Sequence, residues 1–419
     1  MNKNFDVIIA GAGPAGLSLA SVLSQKHKVC IIDKNKIGTT TKSWASFRDL
    51  IKNLGLEKAI FNNKIEILEF SHYLGAKWIF KDIYCQLDEQ KLLDIFIKRC
   101  NKKNINFISN FELKDFCRFD GKIQISNNKN KFNAKILIDC TGADSPIIKK
   151  YDLISKYSSY PILGFNVKNV DVDPKKFIWE IMKTPNYNEL MIGGIMPYSK
   201  GYAQVHIFPY LKQSRVSYDF LESFLKDYFT YYSGLKNAKI ISRSKGTILM
   251  GELKKNALDN IIFFGESALW TPRFIGTGFN QILRDYIHVA NKISNLIITN
   301  RLSEKYLSQI KSLLQNKKTL HFLNCFEKII FSLKNYPEKL NEFLIKINQA
   351  DPCFGKCLMR NEFNLNVLKK SWKKIHEHFS IYEISQILSK KDILYLLEVG
   401  FELLEDSILE KYRLHLKEL

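Results

Sequence analysis

Apolar residues dominate Phe5-Asp-Val-Ile-Ile-Ala10, and after a glycine cluster they return at helical spacing from Leu17 to Leu23. The first run predicts a short buried strand and the second a helix packed on one face. Lys28-Val-Cys-Ile-Ile-Asp33 predicts a second buried strand, and the runs ending at Asp139 and Phe264 predict two more. The stretch Tyr84 to Arg99 predicts a helix, with apolar residues at positions 92, 93, 95, 96 and 97. Alternation from about 155 to 255, as in Gln204-Val-His-Ile-Phe-Pro-Tyr210, predicts the strands of a separate sheet. Beyond about residue 300 the period is helical only, over Leu302 to Gln315, Thr319 to Lys334, Lys339 to Asn348 and Ile393 to Leu416. No tandem repeat emerges, so the pattern is that of an α/β chain with a helical C-terminal region.

Composition narrows the class. Hydrophobic residues at 46% and charged residues at 25%, with 10 Pro and 20 Gly, are those of a folded globular chain. No apolar run reaches the roughly 18 residues of a spanning helix, and the N-terminal residues lack the pattern of a secretory signal, so a cytoplasmic location is expected. The eight cysteines are then expected to be reduced, and Cys353-Phe-Gly-Lys-Cys357 lacks the second ligand pair that a zinc site needs. The formal charge of +21 is spread along the chain without a nucleic-acid motif. It implies a solvated basic surface suited to loose, peripheral membrane contact, and nucleic acid is not an expected partner.

The first chemical signal is Gly11-Ala12-Gly13-Pro14-Ala15-Gly16, set between the first strand and the first helix. The first glycine permits the tight turn, the second lets backbone approach a pyrophosphate, and the third lets the helix pack on the strand. Asp33, at the end of the second strand, is placed to accept hydrogen bonds from an adenosine ribose. Strand, turn, helix, strand and acid in register point to a dinucleotide, and the turn alone does not separate NAD from FAD.

Two later segments decide between them. Asp139-Cys-Thr-Gly142-Ala-Asp144-Ser145 resembles the Asp-x-x-Gly-x-x-Ser turn of flavoprotein hydroxylases, geranylgeranyl reductases and lycopene cyclases. Phe264-Gly265-Glu266 followed by Pro272, Gly276 and Gly278 resembles the second FAD fingerprint of the same superfamily, with Glu266 where an Asp is usual. The resemblance implies FAD as cofactor, held by Gly11, Gly13, Pro14, Ala15, Gly16, Asp33, Gly142, Gly265, Glu266, Pro272, Gly276 and Gly278. It also makes Arg48, in a segment where the family often places a helix and an FAD-facing Arg, a candidate for the flavin side.

The resemblance implies a Rossmann-type FAD-binding domain with a mixed β-sheet substrate domain and a helical C-terminal cap. The expected FAD-binding domain is discontinuous, over 1–64, 105–150 and 255–300. The substrate sheet is expected over 65–104 and 151–254, and the cap over 301–419.

This layout is similar to that of lycopene cyclases and geranylgeranyl reductases, and Met196-Pro-Tyr198-Ser-Lys200 looks like a cyclase segment. Cyclases continue into a strand with adjacent carboxylates, whereas Ala203-Gln204-Val-His206-Ile-Phe208 has no acid. Protonating an alkene requires a positioned acid in an apolar pocket, and Glu180, among Phe177, Trp179 and Met182, is the candidate substitute. A reductase or monooxygenase needs no acid pair, and His206 and Tyr198 are then candidate proton donors. Trp270, Arg273 and Phe279 flank the second fingerprint and are expected to line the flavin pocket, with Arg273 neutralising a substrate carboxylate or reduced flavin, or pairing with Asp285. The expectation is an FAD-dependent oxidoreductase for a large apolar substrate, an isoprenoid, lipid or aromatic, working by reduction or oxygenation. The alternative is a non-redox lycopene-type cyclase or isomerase that uses reduced FAD. Electrons would come from NADPH binding transiently, since no second nicotinamide fingerprint exists, or from a separate electron-donor protein.

Overall fold

The computed structural model describes residues 3–40, 42–62, 65–81, 84–127, 130–183, 190–210, 217–269, 278–314, 317–360, 362, 371 and 374. The first sheet is ordered Ala257–Leu258, Ile261–Phe263, Lys131–Asp139, Lys3–Ala10, Val29–Ile32, Ile105–Ile108. Its last five strands run parallel, and the hairpin of Asp115–Phe119 and Lys122–Ser126 joins Lys131–Asp139 antiparallel. Val7, Ile8 and Ile9 are wholly buried, as a parallel strand covered on both faces requires.

Helices Pro14–Leu23, Glu89–Arg99 and Gly278–Ile298 cover this sheet. The helix expected from Tyr84 begins only at Glu89, where the Asp88 carboxylate accepts from Lys91 N at 2.9 Å. Tyr84–Leu87 is instead a strand, paired with Ala45–Phe47 and Ile60–Asn62 in a small third sheet. The following helix buries Leu92, Leu93 and Phe96 in the first core, so part of the 65–104 segment sits with the first sheet.

The second sheet is ordered Lys239–Leu253, Ile154–Lys168, Tyr202–Pro209, Met191–Ser199, Lys176–Met182, Ile67–His72, Lys77–Lys81. Every pairing is antiparallel except that of Lys176–Met182 with Ile67–His72. Its outer face packs Leu163, Phe165, Val205 and Ile207 under a helix, Tyr218–Tyr231, that the alternating pattern did not predict. Leu221, Phe224, Leu225 and Tyr228 form the buried stripe of that helix, which Ser217 caps by accepting from Phe220 N.

The inner face meets the small third sheet and helices Lys317–Leu333, Pro337–Ala350 and Pro352–Arg360. Trp78 Nε1 donates to Leu344 O at 3.0 Å across this contact. The helix expected over Leu302 to Gln315 is broken at Ser308 into Glu304–Leu307 and Gln309–Leu314, and Leu302, Leu307 and Ile310 belong to the first core. Ile393 to Leu416 lies outside the described residues. Among the described residues, no helix is long and apolar enough to cross a membrane.

Candidate functional site

The three glycines of the first turn meet three different surroundings. Gly11 has φ +102°, and a Cβ on it would strike the Cys140 carbonyl. A Cβ on Gly16 would strike the carbonyl of Gly11, so this glycine lets the helix close on the turn. A Cβ on Gly13 would meet nothing within 4 Å, and Gly13 is partly exposed at the N-cap of Pro14–Leu23. That open helix N-terminus, with no side-chain cap, is the geometry that receives a pyrophosphate. Asp33 stands beside it: Oδ2 accepts from Ala12 N and Oδ1 from Asn35 N, each at 2.7 Å. Each oxygen keeps a lone pair for a ribose hydroxyl.

The second turn is built on Asp139, which is wholly buried and accepts from Thr141 N, Thr141 Oγ1 and Ser145 Oγ. Burial raises its pKa, and the Ser145 and Thr141 bonds offset part of that rise. Ser145 also caps helix Pro146–Lys150 by accepting from Ile148 N at 3.1 Å. The Asp139 carbonyl accepts from Phe264 N and Ser267 Oγ, which fastens the second turn to the third.

The third turn touches both others. A Cβ on Gly265 would lie 2.6 Å from Ala15 Cβ, and one on Gly142 would lie 3.3 Å from Glu266 Oε2. Glu266 is committed in two directions: Oε1 accepts from Leu249 N at 3.1 Å, and Oε2 pairs with Lys42 Nζ at 3.1 Å. Its extra methylene thus ties the turn to the long strand of the second sheet. Gly278 begins helix Gly278–Ile298, and Phe279 stacks on Trp44 at 5.5 Å. Trp270, Pro272, Arg273 and Gly276 lie outside the described residues. Asp285, a proposed partner of Arg273, pairs with Arg284 Nε at 3.0 Å. Arg48 opens helix Arg48–Asn53 and donates from Nη2 to Ile65 O at 2.8 Å, so this contact ties it to the backbone.

Strand register sorts the remaining candidates. Trp179 is opposite Gly194, Gly194 opposite His206, and His206 opposite Gly164, so these four share the inner face. Glu180 is opposite Gly193, whose missing Cβ makes room for the Tyr228 ring. It therefore lies on the outer face beneath Tyr218–Tyr231, and the expectation that it faces an apolar substrate pocket is corrected. Burial, and then the charge of Glu69, raises its pKa.

His206 lies deep enough for burial to push its pKa down to about 4, yet the residue as a whole is only partly buried, as are Trp179, Phe208 and Tyr210. These four residues keep some accessible surface beside the C-terminal helices. Gln204, on the same face, donates to Ser43 Oγ at 2.6 Å and accepts from Gln86 Nε2 at 3.4 Å. Ser43 adjoins Lys42 and Trp44, so the inner face reaches the third turn. Tyr198 instead packs between Phe61 and Tyr202.

The model described as lycopene cyclase protein matches residues 6–345. The chain belongs to the lycopene cyclase protein family. An uncharacterised protein of Methanocaldococcus jannaschii is 24% identical over 340 residues, covering 76% of this chain and 85% of that protein. Among solved structures, a geranylgeranyl bacteriochlorophyll reductase-like protein of Thermoplasma acidophilum superposes with TM-score 0.73 at 17% identity, over 93% of this chain and all of that one, 100%. A flavin-dependent brominase superposes with TM-score 0.69 at 14% identity, over 92% of this chain and 100% of its own. The fold is that of the Rossmann-type flavoproteins. Within this family member, sequence reasoning missed Lys42, Gln86 and Gln204. Their signals were weak, because a surface lysine and two glutamines become a site only once strands from two sheets are brought together.

Proposed function

We propose that this member of the lycopene cyclase family is an FAD-dependent oxidoreductase whose substrate is a large apolar molecule, an isoprenoid, lipid or aromatic, held between the inner face of the second sheet and the three turns. The carrying observation is the separation of aromatic lining and acid: Phe177, Trp179, Met196, Gln204, His206 and Phe208 face inward, and Glu180 faces outward. The residues fit FAD. Gly13 and the N-terminus of Pro14–Leu23 would hold the pyrophosphate, Asp33 the ribose, and Gly265, Glu266 and Gly278 the flavin half, while Gly11, Gly16 and Gly142 shape the turns.

FAD supplies hydride transfer or oxygen activation when bound. The chain's own residues do the rest. Gln204 and Gln86 offer neutral hydrogen bonds and no titrating proton. His206, with its pKa near 4, is a neutral imidazole at neutral pH and serves as donor or acceptor at the substrate. Phe177, Phe208 and the cap helices exclude water. NADPH, binding transiently, or a separate electron-donor protein would supply electrons. The +21 charge would favour loose contact with an anionic membrane that carries the substrate.

The family match favours one second reading, non-redox cyclisation with reduced FAD. Glu180 is the residue that separates the two, and its outward placement supports the redox reading.

The test is the visible spectrum of the purified protein, followed anaerobically through addition of NADPH, then dithionite, then a candidate acceptor. Flavin bands that bleach and return with an acceptor support the redox reading. Bands that bleach and never return, beside a product of unchanged mass, support cyclisation. A chain that stays colourless with added FAD overturns both.

A further inference from the structure

The inner face carries an arrangement that FAD binding does not require. His206 is flanked in register by two glycines, Gly194 and Gly164. A Cβ on Gly194 would stand 2.6 Å from Cζ3 of Trp179, and one on Gly164 would stand 2.5 Å from Oγ of Ser244 and 3.3 Å from Cδ2 of His206. Each ring thus occupies room that a neighbouring side chain would take. The two rings are nearly parallel, at 24°, with centroids 6.3 Å apart, and Phe208 meets Trp179 edge-on at 5.4 Å.

Geometry fixes how a guest can sit. A planar ring sandwiched between two others needs about 7 Å, two contacts of roughly 3.5 Å. The Trp179–His206 spacing falls short of that, so a guest lies against the pair and not between them. The pair offers π faces and one polar group. His206 Nδ1 is buried without a hydrogen-bond partner among the described residues. A deeply placed polar atom left unmet in the free protein is costly, and a ligand that reaches it by shifting the side chains over it is favoured over one that cannot bond it.

We propose that Trp179 and His206 form the recognition platform for the substrate's ring, and that this ring is planar, unsaturated or aromatic, and carries an oxygen function hydrogen-bonded to the imidazole. A phenol or a cyclic enone has this chemistry. A saturated ring lies poorly against the platform, and a bare hydrocarbon leaves the imidazole unmet. The inference rests on the reading of this face as the substrate pocket of an FAD-dependent oxidoreductase.

The test is equilibrium binding of 2-naphthol, naphthalene and decahydro-2-naphthol to the full chain loaded with oxidised FAD. The wild-type protein should bind 2-naphthol about tenfold more tightly than either of the others. His206→Phe should erase the preference over naphthalene while leaving naphthalene binding within about twofold. His206→Gln should keep the preference, and Trp179→Leu should erase the preference for the planar ring. Equal affinity of the three probes for the wild-type protein, or no binding at all, overturns the proposal without any variant. So does a His206→Phe protein of wild-type melting temperature that keeps the preference. If no flavin band forms, the oxidoreductase reading fails, and the same probe series on the flavin-free chain still decides this one.

Discussion

Glu180 and His206 project from opposite faces of one sheet, because Glu180 pairs with Gly193 while His206 pairs with the next residue, Gly194. An acid on the far face cannot protonate a substrate on the near one. Glu180→Gln should therefore change flavin-dependent turnover by less than about twofold, whereas a catalytic acid would cost about a hundredfold or more. Stability should move instead. Burial and Glu69 raise the Glu180 pKa in the folded chain, so stability is lost as pH rises through that value. The Gln variant should melt higher than wild type at pH 8 and equally at pH 4, read by thermal scans at both.

The glycines at 13 and 16 should separate folding from cofactor binding. A Cβ at 13 enters open space, and a Cβ at 16 strikes the carbonyl of Gly11. Gly13→Ala should leave flavin-free stability within about 0.5 kcal/mol and lower FAD affinity at least about tenfold, by denying backbone approach to the pyrophosphate. Gly16→Ala should lower both. Denaturant melts and flavin titration of the two variants check this.

Much of this was legible in the residues themselves. Val7, Ile8 and Ile9 announce a strand buried on both faces, and the glycine turns announce the cradle, because local sterics alone demand those residue types. Four features were not legible. Tyr84–Leu87 reads as the start of a helix until Asp88 caps the true one, since both periods accommodate a short apolar run. Tyr218–Tyr231 was hidden inside an alternating region. The face taken by Glu180 depended on register, which a single strand pattern does not fix, because a shift of one residue exchanges the two faces. Gln86 and Gln204 meet only through tertiary pairing of residues 118 apart in sequence.

Glu266 should act as a fastener between the third turn and the second sheet. Its carboxylate accepts the Leu249 N–H and pairs with Lys42. Glu266→Ala leaves that N–H without an acceptor and should cost about 1–2 kcal/mol in urea unfolding. Glu266→Gln keeps the acceptor and should cost less than half as much. Glu266→Asp, one methylene shorter, should resemble the Ala variant.

Two histidines should make the fold acid-sensitive. Burial pushes both His72 and His206 from 6.5 down to about 4. Between those values the unfolded chain binds protons that the folded chain refuses, so stability should be full above about pH 7 and fall as pH drops toward 4. Nδ1 of His72 accepts from Leu74 N, a bond that also requires the neutral ring. The His72→Gln, His206→Gln double variant should show a flatter fall in melting temperature between pH 7 and pH 4.5 than wild type.

Arg360 should control how firmly the C-terminal helices hold helix Arg48–Asn53. Its guanidinium bonds both Asp49 oxygens at 3.0 and 2.8 Å, bonds both Glu362 oxygens, and lies 4.6 Å over the Phe47 ring. Asp49 follows Arg48 in helix Arg48–Asn53, so the clasp joins helix Pro352–Arg360 to that segment. Burial raises the Asp49 pKa, but the Arg360 bond outweighs it and leaves the carboxyl below its usual range. The clasp therefore stabilises above about pH 4 and is lost as pH falls further. Asp49 is largely exposed, which weakens that half of the clasp, so Arg360→Ala should cost about 2 kcal/mol. Arg360→Lys should recover only a small part, since an ammonium lacks the paired donors that bridge two carboxylates. Hydrogen exchange at residues 48–53 should quicken in the Ala variant while exchange in Lys3–Ala10 stays unchanged, and equal protection at 48–53 would show that the clasp does not hold the segment.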